Sequence, residues 1–121
     1  MVFSMTVEIT DHTAAAQDLA TLFKQGSQTG YTVVPSVDRT GQLIPTTFGY
    51  RSVQASAGNS SGTTIYVGDE NTANDGSCQG IELAPGNGWD RDIMTNRAGA
   101  LGVYVRGSAD GVKFNVMLES V

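Results

Sequence analysis

One cysteine, one histidine, one tryptophan and three prolines occur in 121 residues, and charged residues make up only 16% of the chain. Each shortage removes a class of protein. A lone Cys78 cannot close an intrachain disulfide, and its loop, Asp75-Gly76-Ser77-Cys78-Gln79, supplies no base to activate a thiolate. A lone His12 excludes a His/Cys metal cluster, and no nucleophile elbow frames a Ser-His-Asp arrangement. Seven basic residues against twelve acidic give a net charge of −5, and they are scattered from Lys24 to Lys113. Without a cationic patch to displace counterions, no nucleic-acid partner is expected. No apolar run approaches the ~20 residues of a membrane span. No basic segment precedes an apolar run near Met1, so neither a membrane helix nor a secretory leader is expected. Gly86-Asn87-Gly88 lacks the Lys-Ser/Thr of a phosphate loop, and no cofactor is expected.

What is present is a series of short β-branched and aromatic runs cut by turn residues. Thr63–Val67, Gly80–Leu83, Leu101–Arg106 and Val112–Leu118 alternate with Gly, Asn, Asp and Pro-Gly connections. Further strands are expected at Tyr31–Val37, at Gln42–Thr47, at Phe48–Ala55 and at Trp89–Met94, the first two weakened by Pro35 and Pro45. A chain of this length forms one domain, residues 1–121, and buries roughly two-thirds of the surface its unfolded form exposes. The pattern predicts a mainly-β fold, a small sandwich or jelly roll spanning 31–121. Its core is expected to hold Val53, Ile65, Val67, Leu83, Val103, Val105, Phe114 and Val116, with Leu19 and Phe23 from a helix. The last two strands, joined by Gly107-Ser108-Ala109-Asp110-Gly111, read as a hairpin in which Tyr104 and Phe114 pair across the strands.

Residues 1–30 read as an arm and a helix. Ala16, Leu19, Ala20 and Phe23 form one apolar stripe, so a helix is predicted over 13–25, capped by Asp11 or Thr13 and stopped by Gly26. Before it, Phe3, Met5, Val7 and Ile9 alternate on one face of a segment without proline. Edge strands invite pairing, and this stretch has only Glu8 to discourage it. Residues 1–10 are therefore expected to act as an arm or edge strand that pairs with a neighbouring subunit or a capsid shell, with Lys113–Val121 as a second contact.

Three constellations invite chemistry. Asn71, Asp75 and Glu82 fall at positions one, five and twelve of a calcium-loop frame, but Ala73 brings no oxygen to position three and the flanks are strands rather than helices. No metal is therefore expected, and stability is expected to be independent of calcium. Asp90 and Asp92, two apart on a strand beside Trp89, share a face and could be imagined as a glycosidase pair, yet nothing nearby forms a subsite. Trp89 with Tyr66 and Tyr104 offers a sugar-stacking platform, set against packing in the core. No group of convergent titratable residues marks an enzyme.

Ile65-Tyr66-Val67-Gly68-Asp69-Glu70-Asn71, Gly80-Ile81-Glu82-Leu83-Ala84-Pro85-Gly86 and Val103-Tyr104-Val105 leading to Gly111-Val112-Lys113-Phe114 follow a definite order. It is a strand ending in Val-Gly, a polar loop, a Gly-x-x-Leu-x-x-Gly turn and a closing Tyr-Val hairpin. With the lead-in Ser52-Val53-Gln54-Ala55 and Asn59–Thr63, this resembles a group of small phage virion β-sandwich proteins over residues 48–121. The resemblance implies a non-enzymatic virion component, a capsid decoration or cement protein bound to the major capsid protein or other virion subunits. It also implies a homo-oligomer, a trimer being suited to the three-fold sites of a shell, and no catalytic residues. The charged share, below the ~25% usual in soluble domains, suits a particle surface. The alternative is a tail or head-fibre module that recognises host-surface glycan through Trp89.

Overall fold

The computed structural model describes residues 2–35, 48–78, 80–92 and 102–120. Nine strands and one short helix follow in the order β1 Val2–Ile9, β2 Gln17–Asp18, α1 Leu19–Gln25, β3 Tyr31–Val34, β4 Phe48–Ala55, β5 Ile65–Gly68, β6 Ile81–Leu83, β7 Gly88–Asp92, β8 Tyr104–Gly107 and β9 Lys113–Ser120. They build two antiparallel sheets, a larger one in the order β3-β1-β9-β4-β7 and a smaller one in the order β2-β8-β5-β6. The fold is mainly β, a small sandwich-like domain with a single short helix. The expected strands at 42–47 and the end of the run at 93–94 lie outside the described residues.

Alternation decides which side chains meet between the sheets. Met5, Val7 and Ile9 of β1, Val53 and Ala55 of β4, and Phe114, Val116 and Leu118 of β9 line the inner face of the larger sheet. Ile65, Val67, Leu83 and Val105 answer from the smaller one, with Leu19, Leu22 and Phe23 of α1 in the same cluster. The Tyr31 hydroxyl crosses between the layers and donates to the Val105 carbonyl at 2.8 Å. Of the core residues expected from the sequence, only Val103 is partly rather than fully buried.

Three expectations are corrected. The N-terminal segment is neither an arm nor an edge: β1 pairs with β3 on one side and β9 on the other, so residues 1–30 belong to the sandwich. The helix begins at Leu19 rather than near residue 13, because Gln17 and Asp18 pair with Val105 and Tyr104 of β8 before the chain turns. Asp18 then serves as the cap, its carboxylate accepting from the Ala20 N–H at 3.2 Å, while Gly26 ends the helix at φ +80° as expected. Finally, β8 and β9 are not a hairpin. They lie in different sheets, and the connection between them arches across the end of the sandwich. Ser108 exchanges bonds with Thr64, its N–H donating to the Thr64 carbonyl and its hydroxyl accepting from the Thr64 N–H. The Gly111 N–H, at a φ of +84°, donates to the Ile9 carbonyl. Tyr104 and Phe114 therefore never pair, and Phe114 stands between Val7 and Ala55.

Candidate functional site

The two outer faces of the sandwich differ in kind. On the smaller sheet, Tyr66 registers between Glu82 and Arg106, and the loop of residues 69–78 folds over it. The Arg106 guanidinium donates to the carbonyls of Thr72 (3.4 Å) and His12 (3.2 Å), Asn74 donates to the same His12 carbonyl, and Gly76 lies against the Tyr66 ring. That face is covered, which is why Tyr66 is buried although it points away from the core.

The outer face of the larger sheet is open. Val34, Thr6, Asn115, Gln54 and Gly88 register side by side across all five strands. The next row is Ser4, Met117, Ser52 and Asp90. Apart from Asp90 at the β7 edge these rows carry no charge; Glu8 and Lys113 stand beyond one end of the band and Glu119 beyond the other. Thr6 donates its hydroxyl to the Asn115 side chain at 2.9 Å, and Tyr50 donates to Asp90 at 3.2 Å. A shallow groove of about 370 Å³ runs along the band between Val34, Pro35, Thr6, Asn115 and Met117. The three large apolar side chains exposed among the described residues, Val2, Val34 and Met117, all lie on this face.

The residues singled out in the sequence fall elsewhere. Met5, Val7 and Ile9 are 5%, 0% and 0% exposed, and Phe3 packs inward on Phe23 with ring centroids 4.8 Å apart. None of the four presents itself to a partner; the alternation was read in the right phase, but the apolar phase is the one a sandwich turns inward. Trp89 registers with Val53 and packs against the core, so it is not the outward-facing sugar platform imagined, and Tyr66 and Tyr104 stand on the other sheet. The Ser77 hydroxyl first, and then the Ser77 N–H that the Asp75 carboxylate accepts at 2.9 Å, lower the pKa of Asp75. Cys78 is exposed. The side chains of Arg91 and Asp92 lie outside those described.

Sequence reasoning missed one cluster. The connection after β1 and the arch before β9 bring Asp11, His12 and Asp110 together, with one potential ligand atom from each within 4.8 Å of the others. Among the described residues this is the one such trio of His, Cys or acidic side chains. Its geometry is that of a clamp. Asp110 accepts from the His12 N–H at 2.8 Å and meets the imidazole Nδ1 at 2.6 Å, and the first of these contacts leads in lowering its pKa. Asp11 accepts from the Thr13 hydroxyl and N–H, which likewise lower its pKa. The Thr13 hydroxyl is thereby aimed at Asp11 and not at His12, so the trio lacks an activated nucleophile. No local signal in the sequence could have announced it, since Asp110 stands ninety-eight positions from His12. Comparison with protein-family models, with curated proteins and with solved structures finds no match to this chain.

Proposed function

We propose that the chain is a non-enzymatic structural subunit of a phage particle, a capsid decoration or cement protein that works through its surface. The observation that carries the reading is the open, uncharged band on the larger sheet, in a chain whose net charge is −5. A contiguous patch that holds Val34 and Met117 and confines charge to its edges, with Asp90 on β7 and Glu119 beyond, is the composition of an interface centre with charge left to the rim. The likeness of residues 48–121 to small virion sandwiches supplies the setting.

Two measurements test it. Mass spectrometry of purified particles should find the protein in many copies per particle, at a fixed ratio to the major capsid protein. Purified protein added to particles lacking it should co-sediment, and Ser52→Lys, which places a charge in the band, should release it. Absence from particles, or binding indifferent to Ser52→Lys, would overturn the proposal.

A further inference from the structure

The open face of the larger sheet carries a thioether on its central strand. Met117 of β9 is 41% exposed, whereas Met5, the other methionine among the described residues, points into the core and is 5% exposed. Ser4 of β1 and Ser52 of β4 register directly on either side of Met117. A serine side chain stops well short of a methionine sulfur, so neither flank shelters it. The shallow groove that Met117 helps to line opens beside it and admits a small solute. We infer that Met117 is an oxidative modification site on this face: a peroxide converts its sulfur to the sulfoxide, and the sulfoxide weakens the hold of the face on its partner.

In the step itself a sulfur lone pair attacks one oxygen of hydrogen peroxide. An S–O bond forms as the O–O bond breaks, and the departing hydroxide takes the proton from the transferred oxygen and leaves as water. The sulfur gives up an electron pair and the peroxide accepts it. A flexible apolar side chain thereby becomes a polar one that ends in a hydrogen-bond acceptor. Exposed to solvent, the new oxygen is satisfied by water. When the face closes on a partner, that hydration is lost, and a group that suited an uncharged contact now opposes it. Reduction by methionine sulfoxide reductases, one for each epimer, reverses the change as thiols become a disulfide and the oxygen leaves as water.

The fold supplies its own controls. Met5 lies one strand away but on the buried phase, so an oxidant that acts through exposure spares it. Cys78 is the other exposed sulfur among the described residues, and it ends the loop that covers the smaller sheet, on the opposite side of the sandwich. Its oxidation leaves the neutral face untouched. The effect on docking rests on the reading of this face as the particle-binding surface, whereas the selectivity of the oxidation is a property of the isolated protein.

The test treats the purified protein with hydrogen peroxide at a dose that oxidises part of it, and maps the sites by mass spectrometry of tryptic peptides. Peptide 114–121, in which Met117 is the only methionine, should gain an oxygen atom. Its rate should exceed that at Met5 roughly tenfold or more. The thermal transition should remain that of the parent, because the side chain lies outside the core. The partly oxidised sample is then mixed with particles lacking the protein and sedimented. Met117 sulfoxide should be depleted from the pellet roughly tenfold relative to the supernatant, with the peptides carrying Met1, Met94 and Cys78 followed in the same fractions. Treatment of the supernatant protein with both reductases and dithiothreitol should return it to the pellet. Oxidation of Met5 as fast as Met117, a lowered thermal transition, or Met117 sulfoxide divided evenly between pellet and supernatant would overturn the inference and leave the docking face standing. Protein that never pellets even before oxidation would overturn both.

Discussion

Deleting residues 2–9 should unfold the protein rather than merely strip it of a contact. β1 is the second strand of a five-stranded sheet, and β3 joins that sheet only through it. Met5, Val7 and Ile9 are essentially fully buried, and burying such a side chain stabilises by about 1.5–3 kcal/mol, so their loss removes roughly 5–9 kcal/mol. A domain of this length has about 6–18 kcal/mol of stability in total. The deletion also leaves β3 without a partner, and with it Tyr31 and Val33 lose their place in the core. The two effects together remove roughly 8–15 kcal/mol, comparable to the whole stability of the domain. Urea titration followed by circular dichroism and by amide dispersion in NMR should show no cooperative transition for the truncated chain. Ile9→Ala, which keeps the strand, should remain folded at a cost of about 2–5 kcal/mol. Ser4→Ala, on the outer face, should change stability by less than about 0.5 kcal/mol. A truncated protein that unfolds cooperatively near the midpoint of the full chain would refute the placement of β1 inside the sheet.

Phe114→Ala should cost about 3–5 kcal/mol, because the ring is fully buried between Val7 and Ala55; at about 0.25 kcal/mol per kelvin for a chain this long, calorimetry should record a fall of roughly 12–20 °C, and a change under a few degrees would put the ring outside the core. Tyr31→Phe should cost about 1–2 kcal/mol by leaving the Val105 carbonyl without its donor. Burial pushes the Tyr31 phenol up to about 12, against the opposing charge of Arg106. The unfolded chain ionises first, so stability is complete below pH 10 and declines as pH rises towards 12, a decline that Tyr31→Phe should reduce. At the acid end Asp110, Asp11 and Asp75 all titrate below their ordinary value of 3.8. Their contribution is present above that value and lost as pH falls through the lower folded values, so denaturation midpoints measured from pH 5 to pH 2 should drop less steeply for Asp110→Asn than for the parent.

The elements were legible in the sequence where a local pattern determines them. Period-two alternation identified the inward set of β4, β5, β6 and β9 and nearly every core residue, because a strand buried on one face has no other way to hide its apolar side chains. It could not report neighbours. β1 alternates as an edge strand would, and its place between β3 and β9 is set by partners some twenty-five and one hundred and ten positions away. The same limit produced the false hairpin: five residues between β8 and β9 suit a tight turn or an arch equally well, and the choice falls to Thr64 and Ile9, which hold Ser108 and Gly111 from different strands. The helix start failed for a related reason, since the alanines before Leu19 favour helix locally while β8 claims Gln17 and Asp18 for the sheet. The candidate contact residues were chosen on the buried phase of β1, not on its exposed one. In a sandwich the apolar alternates are committed to the interior, so a strand's capacity to meet a partner lies in its polar alternates, here Ser4 and Thr6 rather than Met5 and Val7. Those serines and threonines look unremarkable one strand at a time. They become a surface only when register sets them beside Asn115, Met117, Ser52 and Gln54, and it is the confinement of charge in those two rows to Asp90 at the β7 edge that distinguishes them from an ordinary solvated face.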